Sequence, residues 1–282
     1  MLVLETLVNS IQKQIETKSK KHFVWIRDSP TKDDLEHIRS SAESSPFDPL
    51  KIRSTMLQGY VKGEVSLATH ILLEEQKPVA KVLVLCEKGF SPMINWNLWK
   101  QIFQAVGSPP NSCRSKGPYR VILFASPEQR RFPNPGEQVT EANVNGGYAY
   151  PHDPRSIVIY RKEEAARVLV HELLHACGTD DFNKSEEERE ALTETWAELF
   201  LIGILSKGSI TKAKSLLHKQ LLWIVDQAER LQDEFGVISS SNYAYRYTVG
   251  RIPVLQSLGF RLPKPSGSFV DSLRFTEPSL VY

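Results

Sequence analysis

The chain has 282 residues, of which 41% are hydrophobic and 24% charged, and its formal net charge is +2 at pH 7. This length is enough to bury a full hydrophobic core, as one large domain or two subdomains. Positive and negative residues are mixed along the chain, and no long basic face carries interleaved aromatic residues. We therefore expect no nucleic-acid partner. No apolar run approaches the about 18 residues that a transmembrane helix needs, so we expect no membrane span.

The cysteines and the N-terminal segment indicate an intracellular protein. Cys86, Cys113 and Cys177 are odd in number and scattered, which favours a reducing compartment without disulfide bonds. The N-terminal apolar run contains Glu5 and lacks a preceding basic stretch, so a secretory signal is not expected. We therefore expect a cytoplasmic protein, and the sequence leaves its oligomeric state open.

Residues 1–75 are predicted to form an N-terminal α/β extension. An amphipathic helix is expected at residues 2–15 and a charged helix at residues 30–41, with a short strand at residues 23–26 between them. Residues 58–73 favour strands that extend a sheet. The role of this extension does not follow from its pattern.

The centre of the sheet is predicted in the following part of the chain. Apolar segments typical of buried strands lie at residues 79–86, 119–125 and 156–160. A helix is predicted at residues 92–106. Residues 142–150 are predicted to form a short irregular strand, in which Gly146 and Gly147 would allow a close approach of another backbone. A hairpin with a glycine bulge is the alternative for this segment.

Residues 171–175 read His-Glu-Leu-Leu-His within an apolar stretch that predicts a buried helix. His171 and His175 lie one helical turn apart on the same side, so both imidazoles can bind one metal ion. Glu172 points to a neighbouring sector, where its carboxylate can act as a general base on a metal-bound water. Burying these three side chains would be costly without a partner such as a metal. The segment predicts a zinc site, and a helix with two surface histidines is the alternative.

A catalytic zinc site needs a third protein ligand and an open fourth position. Ser185 and Glu188 have the spacing of a capping box, which predicts that a second helix starts there. Glu190, Glu194 and Glu198 share one face of this helix. Glu194 lies among apolar residues, where a carboxylate needs a cation or hydrogen-bond donors, so it is the preferred ligand. Glu190 remains a second candidate.

Asp181 is a third candidate ligand, because its spacing from the two histidines resembles the metzincin signature with aspartate in place of the usual histidine. The metzincins also have a methionine turn beneath the site. All three methionines of this chain precede the motif, so that turn is absent in its usual form. We read Gly178, which belongs to the same signature, as the residue that ends the helix.

The chain resembles the gluzincins, the zincin peptidases whose third zinc ligand is glutamate. Eighteen residues separate His175 from Glu194, as in the zinc aminopeptidases of this branch. Residues 193–198 resemble their Asn-Glu-Gly-(Phe/Trp)-Ala segment, with Thr193 and Thr195 in place of Asn and Gly. The resemblance implies an α+β, zincin-like fold. Its mixed sheet and active-site helix would be followed by a mainly helical C-terminal subdomain.

The resemblance implies roles for further residues. In thermolysin-like relatives an acid four residues after the glutamate ligand hydrogen-bonds a zinc-bound histidine, and Glu198 occupies that position. A short strand at the sheet edge pairs with the extended substrate in zincins. The substrate-binding residues predicted in this way are Asn145, Gly146 and Gly147. Gluzincins usually stabilise the oxyanion with a Tyr or His after the third ligand, for which Tyr245 and Tyr247 are the candidates.

Four regions are predicted. They are the extension at residues 1–75, a zincin upper subdomain at residues 76–180, a helical lower subdomain at residues 181–261 and a C-terminal tail at residues 262–282. A helix or helix pair is expected at residues 210–235 of the lower subdomain. The tail contains several Pro and Ser residues and is expected to lie along the surface.

We predict a zinc-dependent peptidase in which Glu172 is the general base and the partner is a peptide or protein substrate. A catalytically silent zincin-like module for binding or scaffolding is the alternative. The intact Glu172 favours the peptidase, since silent relatives often lose this base. The Gly-x-Met-Glu-Asn segment of the aminopeptidases is absent. The sequence therefore favours an endopeptidase or oligopeptidase and leaves the substrate open.

Overall fold

The computed structural model describes residues 2–43, 48–91, 93–113, 117–268 and 270–280. The chain divides into two compact units. The sheet unit comprises Ile15–Gln129 and Asn145–Thr179. The helical unit comprises Met1–Gln14, Arg130–Val144 and Asp180–Tyr282.

The secondary-structure elements alternate along the sheet unit and become mainly helical afterwards. The strands are β1 (Phe23–Asp28), β2 (Val65–Glu74), β3 (Lys77–Glu87), β4 (Tyr119–Ser126), β5 (Gly147–Tyr148) and β6 (Ile157–Arg161). The helices are α1 (Leu2–Ser19), α2 (Lys32–Glu43), α3 (Ile52–Lys62), α4 (Trp96–Val106), α5 (Glu141–Val144), α6 (Ala165–Ala176), α7 (Glu186–Ser206), α8 (Ile210–Phe235) and α9 (Arg251–Ser257). A 3-10 helix lies at Tyr243–Tyr247.

The six strands form one mixed sheet in the order β1-β2-β3-β4-β6-β5. The central strands β3, β4 and β6 are parallel, and β1, β2 and β5 are joined to them by antiparallel pairing. Every residue of β4 is buried, as expected for a strand covered on both faces. The prediction of an α+β fold with a mixed sheet is confirmed.

Helices cover both faces of this sheet. On one face, Ile38 of α2 and Ile52 and Met56 of α3 pack against alternate residues of the central strands, with Tyr148 of β5 beside them. Gly147, the neighbour of Tyr148, faces Val168 of α6. Successive strand residues point to opposite faces, so α6 lies on the face opposite to α2 and α3.

In the helical unit, α7 and α8 pack around an apolar core with the first residues of α1. Leu4 and Val8 contribute to this core, together with Leu199, Ile202 and Leu217. The predicted capping box is present at the start of α7. Residues 210–235 form a single helix, since its apolar pattern runs without a break to the glycine that ends it.

Three sequence expectations about element boundaries are wrong. Residues 142–144, expected within a short strand, belong to α5, where the N–H of Asn143 donates to the carbonyl of Thr140 at 3.0 Å, and the strand itself is limited to Gly147–Tyr148. Residues 58–62, expected as strand, belong to α3, because Asp48 accepts hydrogen bonds from the backbone N–H groups of Ile52 and Arg53 at 3.0 and 2.8 Å and starts a helix there. The helix expected from residue 92 begins at Trp96, because the side chain of Asn95 caps it. Pro92 itself lies outside the described residues.

The expectation that the C-terminal segment lies along the surface holds for residues 264–268, which are exposed, and is wrong for much of residues 270–280. Val270, Leu273 and Phe275 are buried, the last two in a core of the helical unit. Apolar side chains spaced along an irregular segment give no periodic signal, so their burial depends on the surface they meet. Residues 269, 281 and 282 of this segment lie outside the described part of the chain. Among the helices described, none is long and apolar enough to cross a membrane.

Candidate metal centre

Helix α6 holds the two histidines of the motif on one buried side. The exposed fractions of His171 and His175 are 6% and 8%, and their Nε2 atoms lie 3.0 Å apart. The helix ends as predicted: Gly178 has φ 72° and donates its N–H to the carbonyl of His175 at 2.9 Å. Glycine favours this left-handed conformation because it has no Cβ atom.

The two Nε2 atoms are spaced as ligands of one metal ion require. Two nitrogens bound at ~2.0–2.1 Å in tetrahedral geometry lie about 3.3 Å apart, close to the 3.0 Å between His171 and His175. Two imidazole nitrogens that face each other can share at most one proton, whereas a cation satisfies both lone pairs. The pair therefore has a spacing compatible with two nitrogen ligands of one metal ion.

Glu172 is buried in the same helical turn and faces strand β5. A Cβ atom at Gly147 would lie 2.9 Å from Oε1 of Glu172 and 2.8 Å from the carbonyl oxygen of Val158. These distances are too short for any side chain, so the glycine is what allows the backbone of β5 to approach the carboxylate. The resemblance to zincins predicts a substrate beside Gly147 but gives no reason to expect this contact with Glu172.

The residues predicted to bind substrate lie in or next to β5, the edge strand of the sheet beside β6. The carbonyl of Gly146 accepts a hydrogen bond from the N–H of Tyr160 at 2.9 Å, and Gly147 is paired with Ile159. In antiparallel pairing, the residue between two hydrogen-bonded pairs directs its own N–H and C=O away from the partner strand. Gly147 thus presents both groups away from β6. The carbonyl of Asn145 accepts from Arg161 Nε at 2.7 Å, which fixes the start of the segment.

His152 contacts the helix that carries the motif, and the sequence did not assign it a structural or a functional role. Its backbone N–H donates to the carbonyl of His175 at 3.2 Å, and its ring fills the space that a side chain at Gly178 would occupy. The turn containing His152 is therefore held against the C-terminal end of α6. Its pattern, a histidine between proline and aspartate, gave no sign of this contact.

The predicted acidic residues lie in the helical unit, on α7. Glu194 and Glu198 are buried and Glu190 is partly buried. Oε2 of Glu198 accepts a hydrogen bond from Thr276 Oγ1 at 2.9 Å and lies 3.8 Å from Nη2 of Arg251. Since the histidines belong to the sheet unit, the roles of Glu194 as ligand and of Glu198 beside a histidine remain predictions from the spacing.

The two candidate oxyanion donors have different surroundings within the helical unit. The hydroxyl of Tyr247 lies 3.2 Å from that of Tyr243, whereas the ring of Tyr245 packs against Gly250. Burial removes Tyr247 from water and raises its pKa well above the usual value. The negative charge of Glu190 makes a smaller contribution in the same direction. Tyr247 therefore keeps its proton and can donate a hydrogen bond beside α7.

Asp181, the alternative ligand, is exposed and organises its own turn. Its Oδ1 atom accepts from the backbone N–H and the side-chain amide of Asn183 at 3.1 and 3.0 Å. Its backbone carbonyl accepts from Lys184 N at 3.0 Å. These contacts are those of a turn between two helices.

Comparison with known proteins gives no match: no protein-family model, no curated protein and no solved structure matches the chain.

Proposed function

We propose that the protein is a zinc-dependent peptidase with a zincin-like fold. The observation that carries the proposal is the pair of Nε2 atoms of His171 and His175, 3.0 Å apart in a buried helical turn. Glu172 lies in the same turn, against the last strand of the sheet. In this proposal the sheet unit contributes two metal ligands, a carboxylate base and an edge strand whose backbone can pair with a peptide.

The order of elements supports the zincin-like fold. A parallel sheet centre, a short antiparallel strand at its end and the helix that carries the motif follow one another, and a mainly helical region comes after them. The proposed third ligand is Glu194, on the strength of the eighteen-residue spacing. Glu190 is the competing candidate because its charge acts on Tyr247, a proposed oxyanion donor.

Each residue has a defined role in the proposed reaction. His171, His175 and the α7 glutamate would hold zinc, which when bound lowers the pKa of a water molecule toward neutrality and polarises the peptide carbonyl. Glu172 would accept a proton from the attacking water and pass it to the leaving amine. The backbone of Gly147 would pair with an extended peptide, and Tyr247 would donate to the oxyanion.

Metal analysis of the purified chain gives the first test. We expect one zinc per chain, lost on substitution of His171 by alanine. His218, an exposed histidine of α8, provides the matched control, and zinc should remain in His218→Ala. Equal zinc content in the two variants would contradict the proposed site.

Hydrolysis of a peptide library by wild type and Glu172→Gln gives the second test. We expect Glu172→Gln to keep its zinc and to lose about 10²–10⁴-fold in hydrolysis rate, the usual contribution of a general base. Glu128→Gln, at an exposed glutamate of the sheet unit, should hydrolyse peptides as wild type does. Stoichiometric zinc without cleavage that depends on Glu172 would point instead to a silent zincin-like binding module.

A further inference from the structure

Strand β5 has few main-chain bonds to hold it in place. It is two residues long, and its only strand partner among the described residues is β6. Strands of globular proteins usually have about 5–6 residues, so β5 forms fewer backbone hydrogen bonds with its neighbour than a strand of usual length. Because Gly147 approaches Glu172 closely, a small displacement of β5 would change the distance between this backbone and the carboxylate.

The side chain of Tyr148 anchors β5 from the opposite face of the sheet. Its hydroxyl accepts a hydrogen bond from Nη1 of Arg53 at 3.0 Å and lies 3.0 Å from Oγ of Ser41. The guanidinium of Arg53 also lies 4.9 Å from the centre of the tyrosine ring, within the range of a cation–π contact. Tyr148 therefore connects the strand to Ser41 of α2 and Arg53 of α3.

Arg53 is itself fixed by its surroundings. It is 1% exposed; its Nε donates to Asp48 at 3.3 Å and its Nη1 to the carbonyl of Ser41 at 2.6 Å. The planar guanidinium can reach the carboxylate, the carbonyl and the phenol together, which a lysine ammonium on a flexible stem cannot do equally well. The buried guanidinium is paired with the carboxylate of Asp48 at 3.3 Å, and removing one partner of a buried pair is strongly destabilising.

We propose that Arg53 is a positioning residue, which holds β5 over Glu172 by donating a hydrogen bond to the hydroxyl of Tyr148. The effect on substrate rests on the proposed peptidase function, whereas the effect on the strand does not. In this proposal the N-terminal extension (residues 1–75) has a definite role, because its helices α2 and α3 set the position of strand β5, which faces the proposed general base Glu172. Loss of the bond loosens β5 and leaves the histidines of α6 untouched.

Amide hydrogen exchange tests the effect on the strand without any substrate. The reporter is the N–H of Tyr160, which donates to the carbonyl of Gly146 at 2.9 Å. In Tyr148→Phe the ring remains and only the hydroxyl is lost, so the fold should persist. We expect the Tyr160 amide to exchange about tenfold faster, the effect of one hydrogen bond to a charged group.

Tyr150→Phe is the matched control, because Tyr150 is 50% exposed, lies two residues along the same segment and loses the same hydroxyl. Equal exchange of the Tyr160 amide in the two variants would overturn the proposal. Arg53→Lys, which keeps a charge for Asp48, should accelerate exchange as Tyr148→Phe does. Should Arg53→Lys fail to fold, Ser41→Ala separates the two partners of the Tyr148 hydroxyl. If Ser41→Ala accelerates exchange of the Tyr160 amide as much as Tyr148→Phe does, the assignment to Arg53 is overturned.

Steady-state kinetics on an extended peptide tests the link to substrate. We expect KM of Tyr148→Phe to rise about tenfold, with kcat within about threefold of wild type and zinc content unchanged, because lost substrate binding appears in KM. Faster exchange with an unchanged KM would overturn the link between β5 and substrate. If wild type hydrolyses no peptide, the proposed function fails, and amide exchange alone still decides whether Arg53 anchors β5.

Discussion

In the sheet unit, His171 and His175 bring their Nε2 atoms within 3.0 Å of each other, whereas in the helical unit Glu198 faces Thr276 and Arg251. Both arrangements bury ionisable groups. The carboxylate of Glu198 has a cation and a hydrogen-bond donor of its own unit, as a structural ion pair does. The two imidazoles instead direct nitrogen atoms of the same kind at each other, an arrangement that a bound metal ion would stabilise. Burial alone therefore does not distinguish a structural ion pair from the proposed metal ligands; the charge and direction of the neighbouring groups differ between them.

The largest effect is expected from removal of the third ligand. Glu194→Ala should weaken zinc binding by more than the about 10–100-fold that loss of a residue hydrogen-bonded to a ligand costs. Zinc titration of the apo-protein with a competing chelator measures the change. Glu190→Ala and Asp181→Ala serve as matched controls and should bind zinc as wild type does. Retention of zinc in Glu194→Ala, with loss in either control, would refute the spacing argument.

The ion pair between Arg251 and Glu198 should contribute to stability and not to metal binding. Arg251→Met removes a guanidinium that lies 3.8 Å from the buried carboxylate of Glu198, which should lower the free energy of unfolding by about 3 kcal/mol. Urea denaturation measures this loss, and zinc per folded chain should stay at the wild-type value. The double variant Arg251→Met with Glu198→Gln should recover part of the stability. A loss of zinc in folded Arg251→Met would contradict the structural role.

The close approach of β5 to α6 gives a smaller expected effect on stability and a specific effect on activity. The added methyl of Gly147→Ala meets the Val158 carbonyl at 2.8 Å and Glu172 at 2.9 Å, so β5 must shift. We expect a loss of about 1–3 kcal/mol in stability from overpacking. A displacement of about 1 Å at a reacting group can reduce kcat/KM about 10²-fold. Kinetics at full zinc occupancy would measure this, and an unchanged kcat/KM would show that β5 does not act on the site.

Much of the sheet unit could be predicted from local patterns. Its buried strands are nearly continuous apolar runs, and the end of α6 is marked by Gly178. In the helical unit, the start of α7 is marked by Ser185 and Glu188, whose reciprocal hydrogen bonds need only four consecutive residues. These features depend on neighbours within one or two turns, so they can be predicted from the local sequence.

Other features depend on residues far apart in the chain. Residues 58–62 were expected as strand although they continue a helix that Asp48 starts, ten residues before them. The segment after residue 262 carries scattered apolar residues whose burial depends on the core they meet. The bond from Arg53 to Tyr148 joins residues 95 positions apart. No periodicity of a single segment encodes such a pair.

The sequence by itself determined that two histidines and a glutamate share one buried helical turn, because helix geometry fixes the relative directions of residues four apart. It also determined the mixed α+β character, through the apolar runs and helix caps. The tertiary structure decided the rest: the 3.0 Å between the Nε2 atoms, the approach of Gly147 to Glu172 and the partners of Glu198. These depend on side-chain rotamers and on packing between distant segments, which local propensity does not constrain.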